Sequence, residues 1–152
     1  MTLTPTTRAI LLWLATTLFL ARVIGQILVG IYSPPQLPPW PEWYSGLLPY
    51  PWLLLSQILI LMLMAVANTD TIRQQGALFV TSPRTRYWLR LFAVLYASSM
   101  ILRYTLRMIL QSDQRWFGGT IPIWFHLVLA AWIFLLAVSI KDSNSQKTLH
   151  KH

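Results

Sequence analysis

Arg22, Gln26, Gln57, Arg103, Arg107 and His126 are polar or ionisable residues set within or at the edges of long apolar runs. A charge at the centre of a membrane helix costs about 2.5–3.5 kcal/mol even on the lenient insertion scale, so each such residue needs a partner or a purpose. Their spacing from the nearest terminal-side charge places them at one level. Arg22 follows Arg8 by fourteen residues and Arg103 follows Arg90 by thirteen; at about 1.5 Å per helical residue these are rises of about 21 and 20 Å. His126 precedes Lys141 by fifteen and Gln57 precedes Asp70 by thirteen, or about 22 and 20 Å. One turn further, Gln26 follows Arg22 by four and Arg107 follows Arg103 by four, which puts each pair on one helix face, with Tyr104 beside Arg103.

The chemistry of this layer is set by what surrounds it. The four acidic residues, Glu42, Asp70, Asp113 and Asp142, all lie in connections or at span ends. Three arginines and a histidine without carboxylates call for an anion: a phosphate or carboxylate of a lipid headgroup, or the propionates of a porphyrin, because the guanidinium fork matches such oxygens two at a time. A purely structural alternative pairs Arg22 and Arg103 with Glu42 and Asp113 folded inward, with Arg107 reaching the interface. His126 is the one candidate acid or base, and an enzyme acting on a lipid-borne phosphate or carboxylate is the competing class, with the arginines stabilising developing negative charge. No catalytic residue is otherwise expected, and no cofactor, although haem held by one histidine stays open. No metal is expected, since His126 has no Asp, Glu, Cys or second His in a neighbouring span. With no cysteine, thiol chemistry and disulfides are excluded. Phosphate-binding glycine loops, zinc-protease and serine-hydrolase motifs are absent too.

The elements that must position these residues follow from composition. The chain is 55% hydrophobic and 11% charged, where an average soluble domain has about 25% charged residues. Crossing about 30 Å of hydrocarbon takes about 20 apolar residues. Four segments qualify, about 9–31, 52–68, 87–110 and 121–140, which predicts an all-α polytopic membrane protein, a four-transmembrane-helix bundle spanning residues 1–141, with a polar tail over 142–152. The first segment is too long for a signal peptide and lacks a clean cleavage site.

Eight of the twelve basic residues (Arg8, Arg73, Arg84, Arg86, Arg90, Lys141, Lys147 and Lys151) fall on the side shared by the two termini, and the loop 32–51 has none. Positive residues are retained in the cytoplasm, so both termini are expected there. The basic layer then lies in the outer half of the membrane, and the bacterial plasma membrane is the expected location. The net charge of +8 is spread between apolar runs and forms no nucleic-acid surface.

The outer loop 33–51 is rich in Pro, Trp and Tyr. It is expected to be non-helical and to lie at the interface as a semi-rigid cover. Gly76 is expected to end an extension of the second helix, Ser82-Pro83 to open the third, and Thr120 and Pro122 to open the fourth. The expected role is a non-catalytic accessory or assembly subunit, or a lipid-binding protein, whose partners are membrane lipids and other membrane subunits.

Overall fold

In a computed structural model the chain is described over residues 4–44, 48–74, 80–110, 121–139 and 141–142. The described elements are α1 (Pro5–Tyr32), α2 (Trp40–Trp43), α3 (Tyr50–Arg73), α4 (Pro83–Leu110) and α5 (Ile121–Ser139). All but α2 are long and apolar enough to cross a membrane. A two-residue parallel pairing of Val80–Thr81 with Lys141–Asp142 ties the α3–α4 connection to the chain after α5.

Local chemistry explains the helix ends. Thr4 caps α1, its hydroxyl accepting from the Thr7 N–H at 3.2 Å, and Pro5 takes a first-turn position where no N–H is needed. The helix stops at Ser33, left-handed at φ 44°, just before Pro34-Pro35. Ser82 likewise accepts from the Thr85 N–H and opens α4. The end of α3 departs from expectation: Gln74, at φ 53°, donates its N–H to the Asp70 carbonyl and closes the helix, and Gly76 lies outside the described residues, as does Thr120. The proline-rich loop also departs from it, because Trp40–Trp43 forms one helical turn. Its prolines do not prevent this: Pro39 precedes the turn, and Pro41 sits in its first positions.

The long helices pack in the order α3, α1, α5, α4. The bundle is therefore not a closed ring: α4 leans on α5, α3 touches α5 only lightly, and α3 and α4 barely meet. The central α1 buries a stripe at helical spacing, Leu12, Ala15, Thr16, Phe19, Arg22, Val23, Gln26 and Val29. Leu12, Ala15, Phe19 and Val23 form the core with Met64 and Ala67 of α3 and Trp132 and Leu136 of α5. Only Ala93 of α4 is fully buried, and its exposed side chains include Phe92, Val94, Leu95, Ile101 and Leu102, a composition suited to lipid. We call the end bearing α2 the aromatic end and the opposite end the terminal end.

Candidate functional site

Arg22 occupies the buried stripe of α1 because it falls where the helical period demands an inward residue, three after Phe19 and four before Gln26. It is 7% exposed. Nη2 donates to the Trp43 carbonyl at 3.3 Å, and Nε is buried without a hydrogen-bond partner. Among the described residues no carboxylate meets it, so the expected alternative pairing with Glu42 is not formed; Asp113 lies outside the described residues. A buried guanidinium nitrogen left this way in low dielectric is costly.

The guanidinium borders a cavity of about 240 Å³ near the aromatic end. From α3 come Leu53, Ser56, Gln57 and Ile60, and from α5 Pro122, Phe125, His126 and Leu129; each set has the spacing i, i+3, i+4, i+7 of a single helix face. Phe19 of α1 and Tyr96 of α4 complete the wall, and Trp43 and Leu48 lie over it. Gln57 is bonded through Nε2 to Oε1 of the fully buried Gln26 at 3.1 Å, while Gln57 Oε1 and Gln26 Nε2 have no partner. Exchanging O and N in both amides preserves the bond and frees the Gln57 NH₂ as a donor to the cavity. Tyr96 and His126 share a 2.6 Å hydrogen bond between the phenol oxygen and Nδ1. With the phenol donating, the imidazole proton resides on Nε2, which makes that nitrogen a neutral donor.

The cover is anchored to α1. The Trp43 indole sits so close to Gly25 that a Cβ there would lie 2.7 Å from the ring, and Trp40 approaches Gly30 in the same way at 3.0 Å. Trp43 Nε1 donates to the Pro38 carbonyl at 2.9 Å. Trp40 packs edge-on against Tyr50 with ring centroids 5.1 Å apart and also touches Tyr44. The two glycines leave the space that lets the indoles dock on the helix.

Of the residues singled out from sequence, Arg22, Gln57 and His126 meet at this cavity, and Gln26 stands directly behind Gln57. Arg103 does not enter: it is exposed on α4, near enough to His126 for its charge to act on the ring, as Arg22 also does. Arg107 is half-buried one turn further on and does not line the cavity. Tyr104 packs on Trp124 at 6.3 Å and does not line the cavity. Tyr96 takes that place instead. It lies two turns before Arg103 and so shares its face, whereas Tyr104 is turned about 100° away by being the next residue.

Sequence reasoning also passed over a second polar cluster nearer the terminal end. Asn68, 1% exposed, donates to Thr16 Oγ1 at 2.8 Å and accepts from Trp132 Nε1 at 2.9 Å, and Thr16 donates onward to the Leu12 carbonyl at 2.9 Å. Among the described residues no group of three or more His, Cys, Asp or Glu is placed to hold a metal. The cavity's volume is below the roughly 300–1,000 Å³ that encloses drug-sized ligands. No protein family, curated protein or solved structure matches the chain.

Proposed function

We propose that this chain is a small, non-catalytic integral membrane protein that holds an anion in the half of the membrane nearer its aromatic end. The observation that carries the reading is Arg22: a guanidinium buried on the central helix, bonded among the described residues only to one peptide carbonyl, with a buried Nε and a cavity in front of it. Gln57, His126 and Ser56 supply neutral groups around the same space. A phosphate or carboxylate there gives Arg22 the charge-assisted bonds that the protein does not. The asymmetric distribution of Lys and Arg supports an orientation with both termini in the cytoplasm, which makes the aromatic end the outer one. In that setting the protein serves as a lipid-binding or accessory subunit of the plasma membrane.

The test is native mass spectrometry of protein extracted gently from its own membrane, wild type beside Arg22→Met. A mass retained by the wild type and lost from the variant is the expected result. A bare wild-type chain, or the same mass on both, overturns the reading.

The Tyr96–His126 bond favours a second reading, an enzyme acting on a lipid-borne phosphate or carboxylate, because it fixes an imidazole tautomer beside an anion site. His126→Asn separates the two. Retention of the bound mass with no loss of any turnover fits a binding protein, and accumulation of a heavier, uncleaved ligand on the variant fits the enzyme.

A further inference from the structure

Among the described residues the cavity is covered at its aromatic end by Trp43 and Leu48 and bordered by α3 and α4, which barely meet, and this difference says how a ligand arrives. On the aqueous side lies Trp43, 8% exposed, pinned by Gly25, by its indole bond to Pro38 and by the Arg22 bond to its carbonyl. Towards the terminal end the space between α3 and α5 closes at Met64 and Trp132, which are 0% and 3% exposed, and the Trp132–Asn68 bond locks it there. Between α3 and α4 there is no comparable closure among the described residues, since those helices barely meet, yet Ser56 and Gln57 of one and Tyr96 of the other face the same cavity.

That seam has the character of a hydrocarbon path with a charged rim. On α3, Leu63 lies two turns beyond Ser56 on the same face and is 53% exposed. On α4, Phe92 stacks on Tyr96 with ring centroids 5.6 Å apart and is 54% exposed. Two turns from Tyr96 in the other direction, on the same face, stands Arg103, exposed and with no hydrogen bond or ion pair among the described residues. An arginine in that position within a span otherwise faces hydrocarbon without compensation. Arg22 lines the cavity, and Arg103 stands on α4 seven residues beyond Tyr96, which lines it too, so the two charges approach the same space from α1 and from α4.

We propose that the cavity takes the phosphate monoester head of a single-chain amphiphile entering sideways from the bilayer between α3 and α4, the phosphate bridging Arg22 and Arg103 and the chain lying along Leu63 and Phe92. The proposal rests on the anion-site reading above and adds the head's charge, the single chain and the route. A phosphate monoester carries close to two negative charges at neutral pH and answers two guanidinium groups, where a carboxylate answers one. The small cavity admits the head and the first methylenes, and the rest of the chain stays in the seam.

The absence of cysteine allows clean site-specific chemistry. The protein, reconstituted in nanodiscs, is exposed to dodecyl phosphate bearing a diazirine on its chain, and labelled positions are mapped by peptide mass spectrometry. Competable labelling around Leu63 and Phe92 is expected, abolished by Arg22→Met and weakened about tenfold by Arg103→Gln, the loss of one charge-assisted bond. As a second arm, Leu63→Cys with Phe92→Cys, bridged by a bismaleimide, blocks uptake in folded protein, and the unbridged double variant retains it. Labelling spread evenly over α4, or uptake unchanged by the bridge, overturns the lateral route. Dodecanoate binding as tightly as dodecyl phosphate, with Arg103→Gln without effect on either, overturns the dianionic head. Arg22-dependent binding of inorganic phosphate, with no preference for chain-bearing probes, leaves the anion site standing and overturns this proposal alone; no binding of any anion removes both.

Discussion

Asn68 near the terminal end and Gln57 nearer the aromatic end are both carboxamides of α3, buried to within 3% of complete, and both reach α1. Around Asn68 each donor finds an acceptor: the Trp132 indole N–H, the Asn68 amide and the Thr16 hydroxyl form one chain that ends on the Leu12 carbonyl. Around Gln57 the chain stops after one bond, leaving an amide oxygen, an amide nitrogen and the Arg22 Nε unpartnered beside open space. Polar groups in a low-dielectric interior are strongly stabilising to pair and costly to leave. The satisfied cluster therefore joins α1, α3 and α5, while the unsatisfied one is where a ligand completes the valences. The difference lies in the accounting of donors and acceptors, not in the kinds of residue.

The strongest way to break this comparison is at Asn68. Asn68→Leu removes two interhelical bonds, each about 0.6 kcal/mol on average within membranes, and strands the Trp132 N–H at a further cost of about 1–3 kcal/mol. A loss of about 2.5 kcal/mol is expected in reversible unfolding in micelles, with anion retention unchanged once the variant is folded. An unaltered unfolding midpoint removes the structural role assigned to this cluster.

Gly25→Ala comes next. The new methyl would lie 2.7 Å from the Trp43 ring, so the indole must move and its carbonyl leaves Arg22. Overpacking of this kind costs about 1–3 kcal/mol; about 1.5 kcal/mol is expected here, with faster release of the retained mass because the cover no longer seats. Stability loss with unchanged release separates the cover from the site.

How far these features were legible in sequence depends on the period each obeys. The four spans emerged from length and apolarity, and three of the cavity's polar groups, Arg22, Gln57 and His126, from a shared depth. Depth is a one-dimensional coordinate, and it says nothing of which way a side chain turns. For that reason depth selected Arg103, Arg107 and Tyr104, none of which lines the cavity, and passed over Tyr96, which does. Asn68 was hidden differently. A polar residue at the end of an apolar run reads as a boundary, and α3 in fact continues to Arg73. Trp132 reads equally well as lipid-facing or interhelical until its N–H is seen on Asn68. Helix order is a property of tertiary packing, so the open seam between α3 and α4 had no counterpart in the sequence pattern.

Opposite in sign is Arg22→Met. If the guanidinium is an uncompensated buried charge in the ligand-free protein, an apolar chain of similar length stabilises that state by about 1 kcal/mol despite losing the bond to Trp43. The same substitution removes the stabilisation that a saturating anion adds, about 2.7 kcal/mol at a hundred times its dissociation constant. Unfolding of delipidated and anion-loaded samples measures both. Destabilisation of the delipidated variant makes the arginine a structural element like Asn68 and erases the contrast.

The smallest effect is expected at Arg84, exposed in the first turn of α4. Arg84→Ala should move stability by no more than about 0.5 kcal/mol, as surface substitutions do, and leave the retained mass on the protein. It removes the same charge as Arg22→Met and leaves the cavity intact. Were an anion held only because the chain carries a net charge of +8, the two variants would lose it alike. Equal loss would reduce the cavity to a packing defect beside a basic surface; loss from Arg22→Met alone ties binding to one guanidinium and its buried position.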